Sequence, residues 1–296
     1  MEFGRVSEKE LNKIDFSLPK EPAFNKKVLT GKKKTKPSVW LGCAKWGRKE
    51  WIGKIYPPGT REKDFLQHYV QHYNSIELNA TSYKMPTVPQ IKNWADKAKD
   101  KEFIFCPKMV QYIVPNGDLK KELGFTNTYL KAVTAFGKHL GPTFLLLGEN
   151  YPPAKKQVLV DYLKAFPKGV ELFVEFRHPG WFSEEKVTKE IFGILQKLKI
   201  GAIITDTAGR RDCCHMHLTS PKAFIRFVGN SLHKTDYNRC DAWVKQIKYW
   251  LDRGLNELYF FMHMHDEATS PELTVYLVER LNKECKLNLV KPQFIS

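Results

Sequence analysis

The stretch Val170-Glu171-Leu172-Phe173-Val174-Glu175-Phe176-Arg177-His178-Pro179-Gly180-Trp181 decides the fold. Its first seven residues are rich in branched and aromatic side chains and run into a charged turn with Pro and Gly, the pattern of a short strand closed by a loop. Leu172, Val174 and Phe176 alternate with Glu175 and Arg177, so one face is apolar and the other carries the charges. A segment of helical period follows, with Ser183-Glu184-Glu185 reading as N-cap and acidic first turn.

The same unit recurs on both sides. Eight candidate strands lie near residues 39–44, 75–79, 103–107, 143–147, 170–176, 200–205, 222–228 and 257–262, and helical segments separate most of them. Alternation of this kind marks βαβ units around a parallel sheet. Eight units at about thirty residues each predict a single (β/α)8 TIM-type barrel, a fold of roughly 250 residues. The predicted barrel spans 38–285, after a basic extension at 1–37 and before a tail at 286–296. Ser270-Pro271-Glu272 reads as N-cap, first-position proline and first-turn acid, and Trp243, Ile247, Trp250 and Leu251 form one apolar stripe facing the barrel. Residues 206–221 leave little room for a helix, so the connection between strands six and seven should be irregular or shortened.

Charge narrows the range of partners. The 48 Lys and Arg against 32 Asp and Glu give a formal net charge of +16, which favours an anionic small molecule or nucleic acid and equally suits a surface solvated by lysines. Residues 1–37 hold ten Lys or Arg, five Asp or Glu and few apolar residues; such an arm is either flexible or laid over the domain. The six cysteines, at 43, 106, 213, 214, 240 and 285, form no C-x-x-C pair, which argues against a zinc ribbon or disulfide framework and for buried thiols in a reducing compartment. Neither a secretory signal nor an 18-residue apolar run is present, so a cytoplasmic protein without a membrane span is expected.

Strand parity then selects the site. Ser75, Glu77 and Asn79 should face the barrel axis opposite Ile76 and Leu78; Glu175, Arg177 and Arg226 should face it from strands five and seven; Lys108 and Asp206 end strands three and six. The charged residues among them come late in their strands, at the end where parallel barrels carry their active sites. The structural alternative is a network of mutually neutralising ion pairs. Three acids against three cations argue against a dedicated multi-metal centre; no cofactor is predicted, and a divalent metal at His178, His263 and His265 is the lesser alternative. Trp46, Tyr83 and Trp181, in loops after strands one, two and five, are placed either to stack on a ring or to cover the core edge. Gly229 and Asn230, after strand seven, sit where many such barrels bind phosphate with backbone N–H groups.

Several of these segments together resemble the YecE-like family, domain of unknown function 72. They are Gly42…Trp46, Tyr56-Pro57-Pro58-Gly59-Thr60, Glu77 through Tyr83, Lys108, Phe176-Arg177-His178-Pro179 with Trp181, Asp206 and Arg226. The resemblance covers roughly 38–285 and implies a TIM-type barrel without implying a reaction. Carried over by position, it points to Trp46, Glu77, Asn79, Thr81, Tyr83, Lys108, Glu175, Arg177, His178, Trp181, Asp206 and Arg226. The chain departs from the family's usual pattern at Cys43-Ala44-Lys45, Gly148-Glu149-Asn150, Val228 and Met262-His263-Met264-His265, which leaves the ligand of this subgroup open.

The leading expectation is a hydrolase- or lyase-like enzyme acting on a phosphate-bearing or nucleic-acid-like substrate. Glu77 or Glu175 would act as general acid or base, with His178 a further candidate, Asp206 orienting, and Lys108, Arg177 and Arg226 stabilising negative charge. A neutral sugar suits the arginines less well. The alternative is a non-catalytic nucleic-acid-binding protein using the basic surface and N-terminal arm, and a purely structural role comes third.

Overall fold

The computed structural model describes residues 2–295. Eight parallel strands, β1 (Ser38–Cys43), β2 (Ser75–Leu78), β3 (Ile104–Pro107), β4 (Thr143–Leu147), β5 (Leu172–Phe176), β6 (Gly201–Asp206), β7 (Lys222–Gly229) and β8 (Glu257–Met264), form an α/β barrel. A short helix α1 (Glu8–Leu11) lies in the N-terminal extension. The barrel helices are α2 (Phe65–His72), α3 (Val88–Lys97), α4 (Leu119–Val133), α5 (Lys156–Ala165), α6 (Glu185–Leu198), α7 (Lys234–Leu251) and α8 (Ser270–Cys285). The connection from β6 to β7 holds a single 3-10 turn, Arg211–Cys213, in place of a helix. Two predicted caps shift by one residue: Glu184 rather than Ser183 precedes α6, and Thr269 rather than Ser270 precedes α8, where a 3-10 turn at Glu267–Thr269 leads into the helix.

Alternation along the strands builds two apolar layers. Inside, Ile104, Cys106, Phe144, Phe173, Ile203, Phe224, Tyr259 and Phe261 fill the axis. Phe224 is central, its ring 5.0 to 5.5 Å from those of Phe144, Phe173 and Phe261. Outside, the opposite strand faces meet the helices, and Trp243, Ile247, Trp250 and Leu251 of α7 are all buried there. Below this filled layer Lys222 pairs with Glu171 and Glu257 at 2.9 and 3.0 Å, and above it the upper ends of the strands carry a second, larger set of polar groups.

Hydrogen bonding runs continuously through β1-β8-β7-β6-β5-β4, while β2 and β3 form a separate pair. Single bridges join that pair to the chain at β4, Lys108 with Phe144 of β4 and Phe105 with Leu140 just before it. On its other side the seam to β1 is closed by side chains. Asn74 accepts from the Leu41 amide at 2.7 Å and donates to the Val39 carbonyl at 2.8 Å. The Tyr69 hydroxyl accepts from the Cys43 amide at 2.7 Å and donates to the Ser75 carbonyl at 3.0 Å. Gly42 permits this approach, because a Cβ there would lie 2.0 Å from the Ser75 oxygen.

The N-terminal extension packs along the helix-free connection between β6 and β7. Asn25 donates to the Met216 carbonyl and accepts from the Leu218 amide, at 2.8 and 2.9 Å. Trp250 of α7 donates to Glu21 at 2.8 Å, and the Gly209 amide donates to the Gly4 carbonyl at 2.8 Å. Extension and connection thus supply each other's missing partners, as buried backbone requires.

The seam yields a direct prediction. Asn74→Ala strips partners from one amide and one carbonyl, and denaturant titration should show the fold weakened by about 2 kcal/mol. An unchanged midpoint would show that the barrel closes without this side chain.

Candidate active site

Above the aromatic layer, Glu77, Lys108, Glu175, Thr205, Arg226 and His263 share the inward parity of Ser75, Cys106, Phe173, Ile203, Phe224 and Phe261. Arg226, with 1% of its surface exposed, is the centre. Its Nε and Nη2 donate to Glu77 Oε2 and Oε1 at 2.8 and 2.7 Å, and its Nη1 donates to Glu175 Oε2 at 2.6 Å. The guanidinium therefore spans the barrel, forked on β2 and anchored on β5, a geometry that lysine cannot reproduce.

The remaining carboxylate capacity is also taken. Asn79 donates to Glu77 Oε1 at 2.8 Å, and His263 Nε2 lies 2.9 Å from Glu77 Oε2. Arg177 Nε and the Thr205 hydroxyl donate to Glu175 Oε1 at 2.9 and 2.8 Å. Burial pushes Glu77 up, but Arg226 and His263 outweigh it and hold the carboxyl well below its ordinary value. Burial likewise raises Glu175, yet Arg177 and Arg226 bring it down to about 2. Both groups are ionised at neutral pH, so neither is a proton reservoir; they are counterions that fix the ring.

Lys108 stands apart. Its backbone is clamped, with its amide donating to the Leu78 carbonyl at 3.1 Å and its carbonyl accepting from the Thr81 hydroxyl at 2.8 Å. Its half-buried ammonium makes no hydrogen bond or ion pair among the described residues. Burial, followed by the nearby Arg226, lowers its pKa below the ordinary lysine value, only partly opposed by Glu175 and Glu77. Arg177 uses Nε alone; Nη1 and Nη2 have no partner among the described residues, and the Phe3 ring covers the guanidinium face at 4.0 Å.

Other predicted site residues lie elsewhere. Asp206 has the outward parity of Ile204 and is buried among Arg211, Arg239 and Trp243. Trp243 Nε1 donates to it at 2.7 Å, and Arg239, sandwiched between Phe16 and Phe227, reaches it at 3.0 Å. Asp206 therefore joins β6 to α7 and to the following connection, and does not face the mouth. Trp181 is fully buried and donates to the Tyr151 carbonyl at 2.8 Å, so it is core rather than stacking wall. Asn230 gives its amide to Asp236 at 2.7 Å, an internal carboxylate occupying the place expected for phosphate. Gly229 is there because a Cβ would meet the Met264 sulfur at 2.3 Å.

Thr81 spends its hydroxyl on the Leu78 and Lys108 carbonyls, and thereby positions Lys108. His178 Nδ1 accepts from the Gly180 amide at 3.0 Å, capping its own turn. Trp46 packs edge-on against Trp94 at 5.5 Å, whereas Tyr83 is 71% exposed at the rim. The six cysteines are free and buried, and burial raises the Cys213 and Cys214 thiols rather than activating them. Burial and His217 lower neighbouring His215 to about 3, so it stays neutral at physiological pH. Among the described residues no group of three or more His, Cys, Asp or Glu is placed to hold a metal, and no helix is long and apolar enough to cross a membrane.

Thr205 and Arg239 escaped the sequence reading. Thr205 was recoverable from the parity of Ile203. Arg239 sits four residues before Trp243, on the side of the helix facing the core, and a charge there signals a buried partner.

Residues 40–294 match the family model described as protein of unknown function DUF72. The UPF0759 protein YecE of Escherichia coli strain K12 is 24% identical over 263 residues, covering 83% of this chain and 93% of that protein. A DUF72 family protein from Enterococcus faecalis V583 superposes with a TM-score of 0.64 at 12% identity, over 87% of this chain and all of that one (100%). Another from Thermotoga maritima MSB8 gives 0.59 at 18% identity, over 84% and 100%. These structural likenesses establish the barrel.

The ring predicts how stability responds to acid. Because folding depresses both carboxyls, their contribution is complete above the ordinary value of 4.5 and is lost as pH falls below it, for Glu175 toward about 2. Glu175→Gln should cost about 3 kcal/mol at neutral pH by leaving two guanidinium groups short of a partner. It should also flatten the decline in unfolding free energy below pH 4.5, so equal acid slopes for variant and wild type would refute the ring's role.

Proposed function

Because the chain belongs to the DUF72 family of proteins of unknown function, its activity must be argued from the site, and we propose an enzyme acting on a small phosphate-bearing substrate at the barrel mouth. One observation carries this reading. Glu77 and Glu175 are consumed by Arg226 and Arg177, leaving the Lys108 ammonium and the outer nitrogens of Arg177 without an ion partner among the described residues. Three cations against two carboxylates give the mouth an excess positive charge in a partly dehydrated setting, where an anion gains more than in water.

In this reading Arg177 holds the anionic group and Lys108 exchanges protons with the reacting part, its lowered pKa suiting it to that task. Glu77, Glu175, Arg226, Asn79 and Thr205 position these two, and His263 adds a ring nitrogen beside Glu77. Tyr83 offers an aromatic face at the rim. Both hydrolase and lyase chemistry fit these roles. The six free thiols support a reducing, cytoplasmic setting.

Inorganic phosphate at low ionic strength should raise the melting temperature of wild type above a sodium chloride control, and Lys108→Met and Arg177→Met should each abolish that rise. No phosphate-dependent shift, or an equal shift in both variants, would overturn the proposal.

A second reading, nucleic-acid binding, draws support from the opposite end of the barrel. A groove of about 1120 Å³ there is lined by Lys33, Lys34, Lys36, Lys101, Lys248 and Lys286, with Glu102 and Asp252 its acids. Asp252 is already shared by Lys33 and Lys248, at 2.8 and 2.6 Å. A single-stranded oligonucleotide should then bind with an affinity falling by about 0.7 log units per phosphate contact for each tenfold rise in salt, and Lys34→Glu with Lys36→Glu should reduce that slope. Absence of binding at low salt would remove this reading.

A further inference from the structure

We infer that Lys108 is a covalent nucleophile that forms an imine with the carbonyl group of an aldehyde or ketone carrying a phosphate. The inference rests on the anionic-substrate reading above and specifies its substrate class. Three features of the mouth support it. The Lys108 backbone is fixed on both sides, by the Leu78 carbonyl, by the Thr81 hydroxyl and by its bridge to Phe144 on β4, so the side chain starts from a rigid base. The carboxylates near enough to neutralise its ammonium are bound to Arg226 and Arg177 instead. Of the charged groups around it, two are guanidinium groups that repel a further positive charge, and two are carboxylates whose charge is already shared.

Such surroundings favour the neutral amine, and each unit by which an amine pKa falls raises its neutral fraction about tenfold. Desolvation beside other cations is a recognised way to activate lysine toward carbonyls. In the step itself the nitrogen lone pair attacks the carbonyl carbon, forming a C–N bond as the C=O π pair moves to oxygen. Proton transfer from nitrogen to oxygen, through solvent, gives a carbinolamine. Loss of water then leaves the C=N bond. Amine and carbonyl become imine and water, with no oxidant or reductant. The outer nitrogens of Arg177 would hold the substrate's anionic group while this occurs, and the protonated imine would draw electrons from an adjacent C–C or C–H bond, which is lyase chemistry.

The test uses pyridoxal 5′-phosphate, an aldehyde with a phosphate group, added to the full chain at less than one equivalent. Borohydride reduction fixes any imine, and peptide mapping locates it. Lys108 should carry about tenfold more label than any other lysine, inorganic phosphate should suppress that label, and Lys108→Met, whose folding is checked by its thermal transition, should lose it. Label scattered over surface lysines with no preference for Lys108 would overturn the inference. The phosphate-dependent melting shift separates the two failures: if it persists in wild type, the anion site stands and only the imine falls, and if it is also absent, both fall.

Discussion

The buried guanidinium of Arg226 is the constraint on which the rest of the mouth depends. A cation with 1% exposure survives only with its charge matched and its donors used. Glu77 supplies a fork from β2 and Glu175 a single anchor from β5, so three strands are held in one electrostatic unit across the axis. That arrangement decides the status of every neighbour. The carboxylates lose their capacity to carry protons, Asn79 and Thr205 become supports, and the unmatched charge is displaced onto Lys108 and the outer edge of Arg177. The free positive charge at this site is a remainder, left by what the counterions cannot cover.

The aromatic plug below the ring complements it. Phe144, Phe173, Phe224 and Phe261 close the axis to water, so the polar groups above sit on a low-dielectric floor. Each ion pair is thereby strengthened, and any unpaired group there is made more costly. Strand parity ties the two layers together: the same alternation that stacks Phe224 beneath Arg226 stacks Phe173 beneath Glu175 and Phe261 beneath His263. A register slip of one residue in any of these strands would exchange the plug for the helix-facing surface.

Strand alternation made most of this legible in the sequence. All eight strands were placed within two residues of their observed starts and ends, because branched and aromatic runs bounded by loop residues are strong local signals. Glu77, Lys108, Glu175, Arg177 and Arg226 follow from the same parity. Asp206 misled the reading, since its place as the last strand residue suggested the mouth while its parity with Ile204 pointed to the helices. Trp181 and Asn230 misled it for another reason: loop side chains are fixed by partners distant in sequence or by local turns that no periodicity encodes. Tyr151 lies 30 residues from Trp181, and Asp236 captures Asn230 from the first turn of the next helix. Arg239 was hidden because a long-range partner, Asp206, makes its burial affordable.

The family match begins at residue 40, yet the ring that lies against Arg177 belongs to Phe3. Phe3 also lies 5.3 Å from Arg210, and its carbonyl and that of Gly4 both accept from the Thr207 hydroxyl. Part of the mouth's wall is thus written in a stretch of chain separate from the barrel that supplies its charges. The charges of the mouth and part of the wall around them are consequently encoded in different stretches of the chain. A change of length or composition in the first few residues can retune what reaches the pocket without disturbing a single strand, and a fusion partner attached to that end would be delivered to the doorway rather than to a remote surface.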